Sequence, residues 1–455
     1  MAAGPLVEAA KVFVERLAAM QDAGLRCKTA YVVLHTYAQG CCNHLLRANL
    51  EDGQWLDDLE EVLQQGLARV AGSNLNECQR ALASLRLSEG GLAFGGLRWR
   101  SEAAFLGSWG LVIKEVAARL GADSLEGFSS RCPTVWADIG RAERELRLRG
   151  GNGSRALDWV QMFDQPVHKL QGTWAKEISA SRREAIISGL PEEDAADARS
   201  HGGPGAGSFL CPPCQGGKVM PDPHFKISLR DRLLLPVCQE GARCQHRRPN
   251  GAVCNTPLDA RGHHAKTCAI GGGWVRRHNG IRDFTASSWA ACSGVQACKE
   301  QRVPEWDREV IDDQGRMVSE EAVLDVITSD PQSGRPLHLD VTVTSACPSN
   351  PAALRRRARR DGAGAADAAA HKRSRYNLAG PSLIPLAFED GGRPAEETVS
   401  FIRRCGAAAE RNGTSLPGAG EGDDQDQPIV ARLWQEFSTL LQWGNAELIL
   451  SANGK

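Results

Sequence analysis

Two aspartates occupy positions where a chain seldom leaves a carboxylate uncompensated. Asp325 lies within Val323-Leu324-Asp325-Val326-Ile327, and Asp340 within Leu337-His338-Leu339-Asp340-Val341-Thr342-Val343; both runs are apolar and β-rich. A carboxylate in mid-strand is costly unless something balances its charge, and a bound divalent cation does so. Alternation in the second run sets its apolar residues on one side and His338, Asp340 and Thr342 on the other. The turn composition of 329–334, Ser-Asp-Pro-Gln-Ser-Gly, joins the two runs, and a hairpin that brings both acids together makes a Mg²⁺ site. The plainer reading leaves one or both on the exposed face of an antiparallel sheet.

A second constellation is Cys244, Cys254, His263 and Cys268, spaced C-x9-C-x8-H-x4-C. Four soft or borderline ligands suit a tetrahedral structural Zn²⁺, a closed site from which no catalysis is expected. His264 is an alternative to His263, and Cys238 to Cys244. Another set pairs Cys211 and Cys214 with Cys238 and Cys244, and reduced, unbound thiols are the plain alternative. Third, a helix opening at Arg276-Arg277-His278-Asn279 and continuing through Arg282 and Asp283 carries enough cations within two turns to follow one phosphate path, or simply a solvated basic face. The block Arg355 to Arg360, followed by His371-Lys372-Arg373-Ser374-Arg375-Tyr376, reads as a localisation signal, a phosphate track or a soluble helix face.

These residues are embedded in 455 residues with 42% apolar and 24% charged content, which supports folded cores and excludes a disordered, collagenous or small disulfide-stapled chain. The formal charge of −1 hides local clusters. From Phe225 to Arg282 there are 11 Lys/Arg against 3 Asp/Glu, and from Arg355 to Arg375 there are 8 against 2, pointing to a phosphate-rich partner. Glu8, Lys11, Glu15 and Arg16 interrupt the first twenty residues, and no apolar run is long enough for a span, so the expected setting is nuclear or cytoplasmic, not secreted or membrane. In a reducing compartment, clustered Cys more often bind metal than form disulfides.

The elements that must position these groups divide the chain into five parts. Residues 1–125 read as an all-α region, with Leu56, Leu59, Leu63, Leu67 and Val70 on one stripe. Residues 126–222 read as a connector with short helices and a Gly-rich linker from His201, and 223–272 as a small zinc knuckle. Residues 273–415 combine helix, the two aspartate-bearing strands, one basic helix over Ala352 to Tyr376 and a strand over Leu383 to Phe388. An acidic linker and a C-terminal helix from Ile429 to Leu450 complete 416–455.

In order, the Cys-x9-Cys with Leu258-Asp259-Ala260-Arg261-Gly262-His263-His264 and Cys268, the Arg276-Arg277-His278-Asn279 helix, Glu300-Gln301-x-Val303-Pro304, Asp325 before the Asp340-Val341-Thr342-Val343-Thr344 run, and Lys372 to Tyr376 resemble the C-terminal part of non-LTR (LINE-type) retrotransposon polyproteins. That part is a zinc knuckle followed by a restriction-like endonuclease of the PD-(D/E)XK superfamily. Gln39-Gly40, Asn43-His44-Leu45-Leu46-Arg47 and Phe105-Leu106-Gly107-Ser108-Trp109 are similar to the region after the reverse transcriptase core. The resemblance implies a mixed fold: a helical N-terminal region, the knuckle, then an α/β nuclease domain with a mixed sheet. It implies that Asp325 and Asp340 hold catalytic Mg²⁺, that Lys372 and Tyr376 act from the following helix, and that Arg276, Arg277, His278, Arg282 and Arg375 lie near DNA. Leu324 stands where the family usually has Pro, and Thr342 where a D-x-K signature has Lys, which leaves that role to Lys372.

The implied reaction is DNA strand cleavage leaving a 3′-hydroxyl that primes reverse transcription. Implied partners are DNA, element RNA and a polymerase from a longer polyprotein, because no Tyr/Phe-x-Asp-Asp motif occurs here. The alternatives are a zinc-dependent nucleic-acid-binding module with an inactive nuclease site, and a degenerate fragment of such an element.

Overall fold

The computed structural model describes residues 4–50, 53–150, 158–213, 217–311, 314–376, 380–413 and 429–454. They form two compact units, Met1–Gly189 and Leu190–Lys455. The first is all-α: α1 (Gly4–Asp22), α2 (Cys27–Gly40), α3 (Asn43–Ala48), α4 (Gln54–Ala71), α5 (Glu77–Ser84), α6 (Leu97–Arg119), α7 (Leu125–Arg131), α8 (Pro133–Leu148), α9 (Trp159–Asp164) and α10 (Leu170–Ser188). The expected stripe on α4 is buried, and Glu60 on this helix accepts the Gly96 and Leu97 N–H groups at 2.9 and 3.0 Å, capping the start of α6.

The second unit holds α11 (Glu192–Ser200), α12 (Asp222–Arg232), α13 (His263–Thr267), α14 (Gly273–Ser293), β1 (Cys298–Arg302), β2 (Arg308–Ile311), β3 (Met317–Glu320), β4 (Val323–Ser329), β5 (Pro336–Thr344), α15 (Pro351–Arg359), α16 (Ala363–Arg375), β6 (Leu383–Glu389), α17 (Glu396–Asn412) and α18 (Ile429–Ala452). Its main sheet has the order β1-β4-β5-β6; β4 is antiparallel to β1 and β5, and β6 runs parallel to β5, so the sheet is mixed. The expected basic helix over Ala352–Tyr376 is two helices. Asn350 caps the first, and Gly362, at φ 70°, opens the second.

Helices cover both faces of the sheet. On one, Ile281 and Trp289 of α14, Phe401 and Ile402 of α17 and Leu433, Phe437 and Leu441 of α18 pack on Val326, Leu339, Val341 and Phe388. On the other, Ala365 and Ala369 of α16 lie against Ala387, while Tyr376 joins Ala322, Leu324 and Leu383.

The domain boundaries differ from the five expected. The supposed connector has no independent existence. Phe128, Ile139, Trp159 and Trp174 bury themselves with Trp99 and Phe105 of α6, and the segment from Leu190 onward belongs to the second unit. Nor is the Gly-rich stretch after His201 a linker: it is largely buried, and Gly205 (φ 72°) sits where any Cβ would collide with the Trp434 ring. The expected acidic linker, together with Gly151 to Gly153, lies outside the described residues. The knuckle is too small to bury its own apolar surface. Instead Cys238, Leu258 and Ala265 pack on Ile449 and Ala452 of α18, and Gln245 N–H donates to the Ala452 carbonyl at 2.9 Å.

A buried ionic network fixes the knuckle to the sheet. Lys266, 1% exposed, has its Nζ 3.4 Å from Asp231 Oδ1 on α12 and 3.8 Å from Asp390 Oδ2 just after β6. Burial disfavours its charge, but these carboxylates and Asp197 outweigh it and hold the ammonium above its ordinary value. Arg261 spans Asp197 at 3.1 Å and Asp231 at 3.8 Å. Removing one member of such a network leaves the others uncompensated. Lys266→Met is therefore expected to destabilise the C-terminal unit by about 3–5 kcal/mol in chemical denaturation; a loss below about 1 kcal/mol, the scale of a surface pair, would show that the network does not hold the unit together.

Candidate active site and metal centre

The register Val326↔Leu339 and Ile327↔His338, continued by one residue, sets Asp325 beside Asp340. The Asp325 side chain takes over from the backbone there, its Oδ2 accepting the Val341 N–H at 2.7 Å. His278 Nε2, from α14, lies 3.0 Å from the same oxygen and 3.2 Å from the Val341 carbonyl. The two carboxyl groups lie close enough for each to shift the other's titration. From α16, Lys372 Nζ reaches within 2.8 Å of Asp340 Oδ2, an ion pair without the alignment of a regular hydrogen bond. The side chains of Asp340 and Asp325 are 3% and 13% exposed, which rules out the solvated-face reading.

Leu324 and Val326, which flank Asp325, are both buried but in separate apolar clusters, Leu324 with Tyr376 and Leu383 and Val326 with Leu339 and Trp289. On β1, pairing runs Lys299↔Val326 and Gln301↔Leu324 but skips the facing residue, Glu300, whose φ of 52° is in the left-handed region.

The two acids differ in environment. Burial, opposed by Lys372 and reinforced by Asp325, pushes the Asp340 carboxyl up to about 7. Burial also works against ionisation of Asp325, but His278 and the Val341 N–H outweigh it and hold its carboxyl below the ordinary value. The His278 imidazole is raised in turn, the partnership with Asp325 overcoming its burial. A divalent cation between the two acids would relieve the repulsion that their joint ionisation brings.

The other expected site residues are placed differently. Arg277 turns inward: its guanidinium donates to Asn445 Oδ1 at 2.7 Å, its stem crosses Gly444 of α18 where a Cβ would clash, and burial lowers it to about 10. Arg282 is also buried, clasped by Glu300 and by Asp283 at 2.9 Å, so it ties α14 to β1 instead of meeting phosphate. Arg375 pairs with Glu320 at 2.9 Å and lies over the Tyr376 ring. Tyr376 is buried, near enough to Asp340 and Asp325 to feel their charge, and its hydroxyl donates to the Val323 carbonyl at 3.4 Å. Arg276 alone of the helix cations is exposed, beside Trp443 and Lys218.

The Cys cluster comes together with one exchange: Cys244, Cys254, His264 and Cys268 converge, and His263 does not join them. Two isolated antiparallel bridges, Arg243↔Pro257 and Arg247↔Val253, fold the nine-residue spacer back and bring the first two thiols together. Sγ–Sγ distances are 3.9 Å for Cys244–Cys268 and 3.7 Å for Cys268–Cys254, and Cys254 Sγ lies 3.4 Å from His264 Nε2. Tetrahedral zinc with bonds of about 2.3 and 2.0 Å sets its ligands about 3.5–3.8 Å apart, so the cluster could hold a metal such as zinc. His263 points to Asp197 at 2.9 Å, next to Cys347; Arg261 and Lys266 already supply positive charge there. Cys238 accepts from Asn453 instead of joining the cluster, and Cys214 lies outside the described residues.

Two outcomes follow from this geometry. Metal analysis of the purified chain is expected to give about one zinc, lost in Cys254→Ser and His264→Ala but kept in His263→Ala; the opposite histidine dependence would restore His263 as the ligand. An acid whose folded pKa lies above its unfolded value of about 4 contributes stability at low pH that is lost as pH rises through the folded value. The stability of Asp340→Asn relative to wild type should thus shift in the variant's favour between about pH 4 and pH 7 without added magnesium, and a pH-independent difference in melting temperature would contradict this. Among the described residues, no helix is long and apolar enough to cross a membrane. Comparison with sequence profiles of protein families finds no match, and a search of curated proteins finds no relative.

Proposed function

We propose that the chain is a Mg²⁺-dependent DNA endonuclease with a structural zinc knuckle, of the kind found in the C-terminal part of non-LTR retrotransposon polyproteins. The observation that carries this reading is the pair of adjoining buried carboxylates, Asp325 and Asp340, with the Lys372 ammonium 2.8 Å from the second. Two carboxylates side by side in a sheet with an ammonium from α16 against one of them are costly unless a ligand completes them.

Asp325, anchored by the Val341 N–H and His278, stays ionised and fixed in direction. Asp340 gives up its proton when a cation takes that place, and Lys372 offers a fixed positive charge beside it for a phosphate oxygen on which charge grows. Mg²⁺, when bound, supplies Lewis acidity toward the phosphate and lowers the pKa of water. Attack of a water oxygen on phosphorus with loss of the 3′ oxygen leaves a 5′-phosphate and a 3′-hydroxyl, the end a reverse transcriptase extends. His278, expected at the DNA, serves in this reading to orient Asp325. The thiols and His264 bind zinc and hold the knuckle against α18.

Supercoiled plasmid with Mg²⁺ tests the reading. Nicking is expected in the wild type and is expected to fall about 10²-fold or more in Asp325→Ala, Asp340→Ala and Lys372→Ala. Nicking that persists in both aspartate variants would refute the site. Salt-sensitive DNA binding without any nicking would leave a zinc-bearing polyanion binder instead.

A further inference from the structure

The all-α unit contains a cleft of about 850 Å³ whose lining carries five cations and, among the described residues, no carboxylate. They come from separate parts of the chain: Arg47 on α3, Arg86 after α5, Arg100 on α6, and Lys169 and Lys176 at and along the start of α10. Elsewhere in this unit cations are matched to acids, as in Arg80 with Glu61 and Arg98 with Asp57. Among the cleft cations, Arg47 donates to the neutral Gln171 at 3.2 Å, and burial lowers Arg100 below its ordinary value against the opposing pull of Cys42 and Glu60. Lys169 and Lys176 project exposed, and Arg86 is half-buried. Gathering like charges on one concave surface costs energy in the free chain and is recovered when an anion enters.

We propose that this cleft binds the phosphate backbone of a nucleic-acid strand, independently of the carboxylate site in the other unit. The extent of the charge favours a polymer over a single nucleotide. Lys169 and Lys176 are separated by two turns of helix, about 10 Å, whereas phosphates along a strand recur about every 3.4 Å of rise, so the cations span several phosphates. Leu111, Leu170 and Ala103 supply apolar wall between the charges, where sugars and bases can rest.

The test is fluorescence anisotropy with a labelled oligothymidylate of about 20 nucleotides on the full-length chain, without Mg²⁺. An Arg355→Ala/Arg359→Ala background removes exposed cations of the other unit. Adding Arg86→Ala/Lys176→Ala is expected to weaken binding about tenfold and to flatten the dependence of log K on log salt by about 1.4, two phosphate contacts at about 0.7 each. The charge-keeping pair Arg86→Lys/Lys176→Arg is expected to bind within about twofold of its parent. Unchanged affinity in the alanine pair would overturn the proposal, as would an equal loss in the charge-keeping pair, which would mark a packing effect. Displacement of the strand by micromolar ATP or pyrophosphate would overturn it in favour of a nucleotide pocket. Because no cleavage is read, failure here is distinguishable from failure of the nuclease reading.

Discussion

Two carboxylates held against each other in a buried sheet set the terms for the C-terminal unit. Neither Asp325 nor Asp340 can be left there alone, so other elements are committed to them: a backbone N–H from β5, an imidazole from α14 and an ammonium from α16. The helices bringing His278 and Lys372 cover opposite faces of the sheet. Facing Asp325 on β1, Glu300 is in a left-handed conformation, and its carboxylate clasps Arg282 of α14.

A second charged centre does structural work of a different kind. Lys266 and Arg261 sit among Asp197, Asp231 and Asp390, contributed by α11, α12 and the end of β6. Lys266 lies between His264 and Cys268 on the short helix of the knuckle, so ordering of the Cys/His cluster also orders the cation that three buried acids require. The knuckle is thus built into the unit and not tethered to it, with α18 supplying its apolar floor.

The site is mostly polar restraint imposed on an otherwise regular sandwich of helices and sheet. Its apolar layers would pack equally well with other residues at 325, 340 and 372, whereas the carboxylate pair would not be tolerated without the groups around it. That asymmetry separates residues that make the fold from residues the fold is arranged to hold.

Periodicity and composition alone determined the aspartate-bearing strands, the helix with the Arg-His opening, the terminal helix and the stripe on α4, because each of these depends on residues close in sequence. They also determined that Asp340 shares a strand face with His338 and Thr342. Only tertiary packing decided which neighbour met each face. His263 and His264 are adjacent and differ by about 100° around a helix, so the docking of α13 against α18 selected the one that meets the thiols. Arg277 and Arg282 belong to a helix that reads as basic, yet Asn445, Gly444 and Glu300, each remote in sequence, turned them into interior ties. The supposed connector has apolar residues too sparse to announce a core, and it acquires one only where Trp159 and Trp174 meet α6. Spacing states which side chains share a face of their own element; the partner that face encounters is a property of the whole chain, set by the burial it gains there.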